Sequence, residues 1–502
     1  MHIFIYAVLW FILGFCGNGL KDMRNNDELM INGKLMILLR SLSTKNRMRF
    51  RKFLTSPIFN ESEQMVNLFS LFDENIITIN KESSLTKKQI WAQLYGESVY
   101  NDDRLRRLFS ELNKLIMQFL AFEEYQNDHS SEASYLLPAI NKSSLQKHFI
   151  GVVRQTKDQL RNEGFQNAEH HYTAYQIEKQ SSLFLERTVH KNKELEHSEN
   201  ADFHLDCYYI LRKLWHYIGL LILKDVRSIE MNFHLFPDFL NHVAGSKFIE
   251  VPTIEIYYNT VLAFLDQEND EQFLKCRALL DKNGKYFRKE ELQSIYLAAQ
   301  NYCAFRINKG DLEYYRELFN IYKTLIEESL VFSKGVFNPG VYKNIITVGL
   351  MVDEPKWVES FIQEYSQFLP KENQDNDQNY NLAKVYFHEK DYNKVISQLR
   401  EVEYKNLVYA LGGKLMLLKT YYELKEVNAL DSLIDSFRIY LHRNKLISRD
   451  VRQQYMNVLR FVRKLPLEKT YDKEFVQKLR GQIEGCKALA AKQWLLEKVS
   501  EF

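Results

Sequence analysis

Tyr380–Val402 reads YNLAKVYFHEKDYNKVISQLREV. Leu382, Ala383 and Tyr386 recur at helical spacing, the turn-prone run HEKD follows, and Val395 and Leu399 resume the same spacing. Two short helices joined by a tight turn result, each with an apolar stripe that one hairpin cannot cover alone. The pattern repeats 35 residues on: Tyr421 follows Tyr386, while Leu417, Val427, Leu430 and Ile434 repeat Leu382, Tyr392, Val395 and Leu399. Counting back from Tyr392 by the same interval reaches Trp357 in DEPKWVESFIQEYSQFL, which Pro370 closes. An earlier unit is expected at IYLAAQNYCAFRINKGDLEYYRELFNIY, with Gly310-Asp311 as the turn and Leu312, Tyr315 and Phe319 as packing residues, and another at Tyr257 to Leu280. A fixed register of this length predicts stacked hairpins sharing one core.

Tyr380–Val402 resembles a tetratricopeptide unit. Leu382-Ala383 takes the large-small pair, Tyr386 follows one turn later, Asp391-Tyr392 sits at the inter-helix turn, and Val395 and Leu399 pack from the second helix. The family usually has a small residue where Val395 stands, and its closing proline is absent. The resemblance implies an all-α, right-handed superhelical array of helix hairpins, an α-solenoid, preceded here by an N-terminal helical module. It also implies a concave wall that holds peptides or partner helices. The outward set would be Tyr380, Lys384, Phe387 and His388 from one unit and Lys419, Tyr422 and Glu423 from the next. The Lys/Asn carboxylate clamp of some family members is not reproduced, because Tyr380 stands where that clamp has Lys.

Composition agrees. At 502 residues the chain is too long for one compact core and fits about three domains or one extended array. A 45% hydrophobic, 26% charged content excludes a disordered chain, and 18 Gly with 8 Pro leave few sharp turns, which favours long helices. With 67 Lys and Arg against 65 Asp and Glu, no global charge draws the chain to nucleic acid or acidic membrane. The five cysteines are scattered and include no CxxC pair, as expected of reduced thiols in a cytoplasmic protein.

Residues 1–22 form a hydrophobic extension. His2 to Cys16, HIFIYAVLWFILGFC, resembles a secretory h-region, yet lacks a basic n-region and falls short of the roughly 20 residues a spanning helix needs. Two readings stand: a true start at Met23, Met30 or Met36, or an exported or membrane-anchored protein held through residues 1–16. The expected division beyond is an N-terminal helical module at 23–130 and the repeat array at 131–502, closed by a capping helix from about Asp472 to Val499.

Within the module, Asn60 with Glu63 and Thr86 with Gln89 have the spacing of reciprocal helix caps, and Leu105, Leu108, Phe109, Leu112, Leu115, Ile116, Phe119 and Leu120 stripe a long helix over 102–122. Three helices in this order allow a winged-helix-like arrangement with Arg104, Arg106 and Arg107 near the start of the third. From Leu29 to Asn60 there are seven basic residues and no acid. On a helix over 44–54, Phe50, Phe53 and Leu54 share one face, leaving Lys45, Arg47, Arg49, Arg51 and Lys52 as candidate anion or nucleic-acid contacts. The run LRSLSTKNRMRFRKFLTSPIFNESEQMVNLFSLF and the closing helix opening at Arg104-Leu105 resemble the N-terminal part of a bacterial family of helical proteins without an assigned activity. That resemblance bears on fold and boundaries alone.

No phosphate loop, dinucleotide turn or hydrolase motif is present. Gly412-Gly413-Lys414 lacks the hydroxyl that would follow in a phosphate loop. Glu169-His170-His171 with His197 and His204 is the best metal candidate, but adjacent histidines on a helix diverge by about 100°. No metal, cofactor, small-molecule substrate or catalytic residue is expected. The sequence thus predicts a non-enzymatic scaffold that binds a protein or peptide on its concave face. The alternative is a nucleic-acid-binding regulator that uses helices 44–54 and 102–122, with the array as sensor.

Overall fold

The computed structural model describes residues 33–78, 86–127, 129–143, 145–186, 191–227, 236–333, 335–371, 374–402, 407–465 and 473–501. The readings made for residues 1–22 lie outside this set. Among the described residues there are 23 α-helices and a single antiparallel pair of two-residue strands, Phe332–Ser333 with Val336–Phe337, so the chain is all-α. No described helix is long and apolar enough to cross a membrane. The chain divides into two compact units, meeting in sequence at Arg288 and Lys289.

In the first unit, the helices Gly33–Ser41, Thr44–Thr55, Glu63–Thr78, Lys87–Tyr95 and Asp102–Asn127 bury a core of their own. Ser43 caps the second of these, its hydroxyl accepting from the Asn46 amide, and the apolar stripe then drives Phe50, Phe53 and Leu54 inward. Phe50 meets Phe69 edge-on at 4.9 Å and Phe119 at 5.2 Å; burying each ring is worth about 2–3 kcal/mol. Thr86 and Gln89 form the expected reciprocal cap. Asn60 differs. Its side chain accepts from the Ser62 amide and donates to the carbonyls of Leu54 and Ser62, fastening the turn, and the helix starts only at Glu63. Residues 33–127 carry no strand among the described positions.

Farther along, Lys191–Arg227 lies against Ala168–Glu186 and Pro252–Leu265, and the last of these pairs with Glu271–Asn283. Leu214, Tyr217, Ile218, Leu221 and Ile222 are buried, which explains the apolar run over 214–223 as helix packing.

In the second unit, consecutive helices pair: Lys289–Lys309 with Tyr314–Glu327, Pro339–Met351 with Pro355–Tyr365, Gln374–His388 with Tyr392–Arg400, and Leu407–Glu423 with Val427–Arg443. The first helices of the last three pairs also touch in succession. Each of these three first helices closes with the same turn. The amides of Glu354, Asp391 and Glu426 donate to the carbonyls of Gly349, Tyr386 and Tyr421 at 3.0, 2.8 and 3.0 Å. The residue before each donor, Asp353, Lys390 or Lys425, is left-handed, with φ of 60°, 61° and 58°. Tyr386 and Tyr421 therefore hold equivalent backbone positions. Val395, Leu399, Leu430 and Ile434 are buried as the 35-residue register expects.

Three expectations for this unit need correction. The turns at Asp353 and Lys390 lie 37 residues apart (390 − 353), so Pro355 and not Trp357 stands where Tyr392 does. Leu312 does not pack: it follows the left-handed Gly310 at the head of the turn and is 67% exposed, while Tyr314, Leu318 and Phe319 fill the interior. The closing helix is broken into Lys473–Gly485 and Lys492–Ser500, because Ala491 adopts φ 52° and turns the chain between them.

Candidate functional site

Three helices carry the candidate wall. Asn338 opens the first, its side-chain oxygen accepting from the amides of Gly340 and Val341, with Pro339 at the first helical position. This sets Lys343 one turn in, within reach of Asp377 on the next helix. Asp377 is 2% exposed, and Lys343 Nζ lies 3.1 Å from its Oδ1. The same oxygen accepts from the Tyr409 hydroxyl on the third helix. Burial foremost, and then Asp377, push the Tyr409 phenol far above its ordinary value, so it stays a donor. One buried carboxylate thus ties three successive first helices together.

Lys384 sits one turn beyond Asn381. The Asn381 amide group donates to the Asp377 carbonyl at 2.7 Å, and its Oδ1 accepts from Lys384 Nζ at 3.1 Å. The ammonium also lies 4.8 Å from the centre of the Tyr380 ring. Burial, and next the neighbouring Lys343, lower the Lys384 amine to about 8, with Asp377 acting in the opposite sense. Lys419, the equivalent residue in the next hairpin, lies 5.7 Å from the Phe387 ring and 5.5 Å from that of Trp494. Burial holds it below the usual lysine range, offset in part by Glu497 and Glu423.

The seven wall residues divide. Lys384, Phe387, Lys419 and Glu423 are half-buried and His388 is exposed. Tyr380 and Tyr422, expected outward, are buried. Tyr380 lies edge-on to Tyr409 at 5.2 Å and reaches over Gly412, where a Cβ would fall 2.1 Å from its hydroxyl oxygen. Tyr422 packs edge-on to Trp494 at 5.5 Å. In both cases a large ring gains more from the gap between helices than from water. Glu423 is engaged internally, accepting from Trp494 Nε1 at 3.0 Å and pairing with Lys498 at 2.8 Å. His388 Nε2 lies 2.9 Å from Asp353 Oδ1, in the turn of the preceding hairpin.

Lys343, Asp377, Tyr409 and Trp494 belong to this wall and are missed by the repeat register. The one readable signal was Gly412-Gly413 in mid-helix, which a helix bears at about 1 kcal/mol per glycine and which therefore marks a close approach. Here the approaching group is Tyr380.

The basic helix Thr44–Thr55 presents fewer free charges than its composition implies. Arg47 pairs with Asp73 at 2.9 Å and donates to the Leu42 carbonyl, Arg51 reaches the same carboxylate at 3.4 Å, and Arg49 holds Glu123 at 2.7 Å and Gln126 at 2.9 Å. Lys45 and Lys52 are exposed and make no ion pair among the described residues. Arg104 lies over the Tyr95 ring and Arg106 pairs with Asp102.

The histidines flanking Glu169 serve packing. His171 and His204 bring their Nδ1 atoms to 2.9 Å, and burial drives them down to about 3 and about 4, so both are neutral near pH 7. Glu169 is paired with Arg212, and His197 with Glu178, which also holds Lys157 at 2.7 Å. Among the described residues no three His, Cys, Asp or Glu side chains are grouped to hold a metal ion.

Compared with known proteins, the chain matches no family model, no curated protein and no solved structure.

Proposed function

We propose that this chain is a non-enzymatic scaffold of tetratricopeptide-like hairpins, arranged as a right-handed α-solenoid, that binds a protein or peptide on the concave wall of its first helices. The observation carrying this reading is the identical turn at Asp353, Lys390 and Lys425 together with direct contact between successive first helices. Hairpins closed alike and stacked first helix to first helix form one continuous surface, and such surfaces hold extended segments or partner helices. The nucleic-acid alternative draws less support, because Arg47, Arg49 and Arg51 are already answered by carboxylates.

The test is site-specific photocrosslinking in the full chain. A benzophenone amino acid at exposed His388 should give one predominant adduct in cells, and the same group at exposed Ser397 on the second helix should not. No adduct from position 388, or the same adducts from both positions, would overturn the reading.

A further inference from the structure

We infer that the segment bound on this wall is acidic, with Asp or Glu side chains docking on the ammonium groups of Lys384 and Lys419. The inference rests on the scaffold reading and adds the chemistry of the partner.

An ammonium group has three N–H donors. Lys384 fills one, on Asn381 Oδ1, and Lys419 fills none among the described residues. Neither has a carboxylate within ion-pair distance among those residues, although both are half-buried. Some half-buried cations of the same unit have one, Lys343 with Asp377, Arg306 with Asp311 and Lys498 with Glu423, whereas Lys323 rests on the Phe319 and Trp357 rings and Arg452 donates to backbone carbonyls. Lys384 and Lys419 differ from these two in standing one repeat apart on adjacent first helices. A desolvated cation without an anion is unfavourable, and ring faces offset only part of that penalty. The missing component is therefore a carboxylate-bearing ligand.

Its form follows from placement. Lys384 and Lys419 stand on adjacent first helices, one repeat apart, so the ligand spans two hairpins. Asp377 and Glu423, the nearby carboxylates, are already taken by Lys343 and Lys498, so each ammonium is left to a carboxylate of the ligand, and two spaced acidic side chains on a peptide supply both. Half-buried Phe387, against whose ring Lys419 rests, offers an apolar contact between the two cations.

The experiment measures fluorescence anisotropy of the full chain with a labelled peptide of alternating Glu and Leu and with its Gln-for-Glu counterpart. The acidic peptide should bind about tenfold more tightly at about 50 mM salt, and the advantage should shrink as salt rises. Lys384→Gln with Lys419→Gln should abolish the advantage, and Lys394→Gln, on the second helix, should leave it intact. Each single variant should lose part of it, which keeps the test open if the double variant unfolds. Equal affinity for the two peptides, including no binding of either, overturns the inference, as does an advantage that survives the double variant. A specific crosslink from position 388 alongside either result would leave the scaffold reading standing and remove only the acidic partner.

Discussion

The basic helix Thr44–Thr55 and the first-helix wall of the second unit both place cations beside aromatic rings, with opposite outcomes. In the helix, three arginines meet Asp73 and Glu123, carboxylates supplied by neighbouring helices. On the wall, Lys384 and Lys419 rest on Tyr380, Phe387 and Trp494 without a carboxylate of their own among the described residues. In the stretch with the greatest excess of positive charge the arginines are thus answered and only the solvated Lys45 and Lys52 are left over, whereas a stretch of balanced composition leaves two half-buried lysines open. Charge density along a chain reports what a segment brings; three-dimensional pairing decides what it has left to offer.

The contrast can be broken from either side. Its closed side should be the more fragile: Asp73→Asn strands Arg47 and Arg51 together, and the helix Thr44–Thr55 should lose about 2–3 kcal/mol of protection in hydrogen exchange. On the open side, Gly412→Ala pushes a methyl group into Tyr380. Overpacking should outweigh the helix-propensity gain of alanine and cost about 1–2 kcal/mol, seen as faster exchange in Leu407–Glu423. The smallest effect should have the reverse sign. Lys384→Met removes a desolvated charge and should stabilise Gln374–His388 by about 1 kcal/mol at pH 7. The native amine titrates near 8 and the unfolded one near 10.5, so between those values the unfolded chain binds more protons and native stability rises with pH. The advantage of the methionine variant should therefore fade from about pH 8 to 10.5; an advantage independent of pH would mean that packing, and not charge, separates the two proteins.

Residues whose role is set by their own helix were legible. Phe50, Phe53 and Leu54 are buried, Thr86 and Gln89 cap each other, and Val395, Leu399, Leu430 and Ile434 face inward, because periodicity and capping are local. The helical class followed from the same signals. Roles set by contact across helices were not. Arg49 finds Glu123 some 74 positions away, and Asp377 joins Lys343 and Tyr409 through neighbours that no spacing rule links. Tyr380 and Tyr422 show the same limit, since whether a ring turns outward depends on the gap its neighbours leave, here Gly412 and Trp494.

The left-handed residues at 353, 390 and 425 are an aspartate and two lysines, none of them glycine. Each non-glycine side chain makes that conformation mildly unfavourable in the free chain, so the hydrogen-bonded closure around it has to be held by the helices on both sides. Chain reversal at these points consequently depends on neighbouring hairpins being in place, which gives the unit a built-in reason to order as a block and to resist the fraying of a single member.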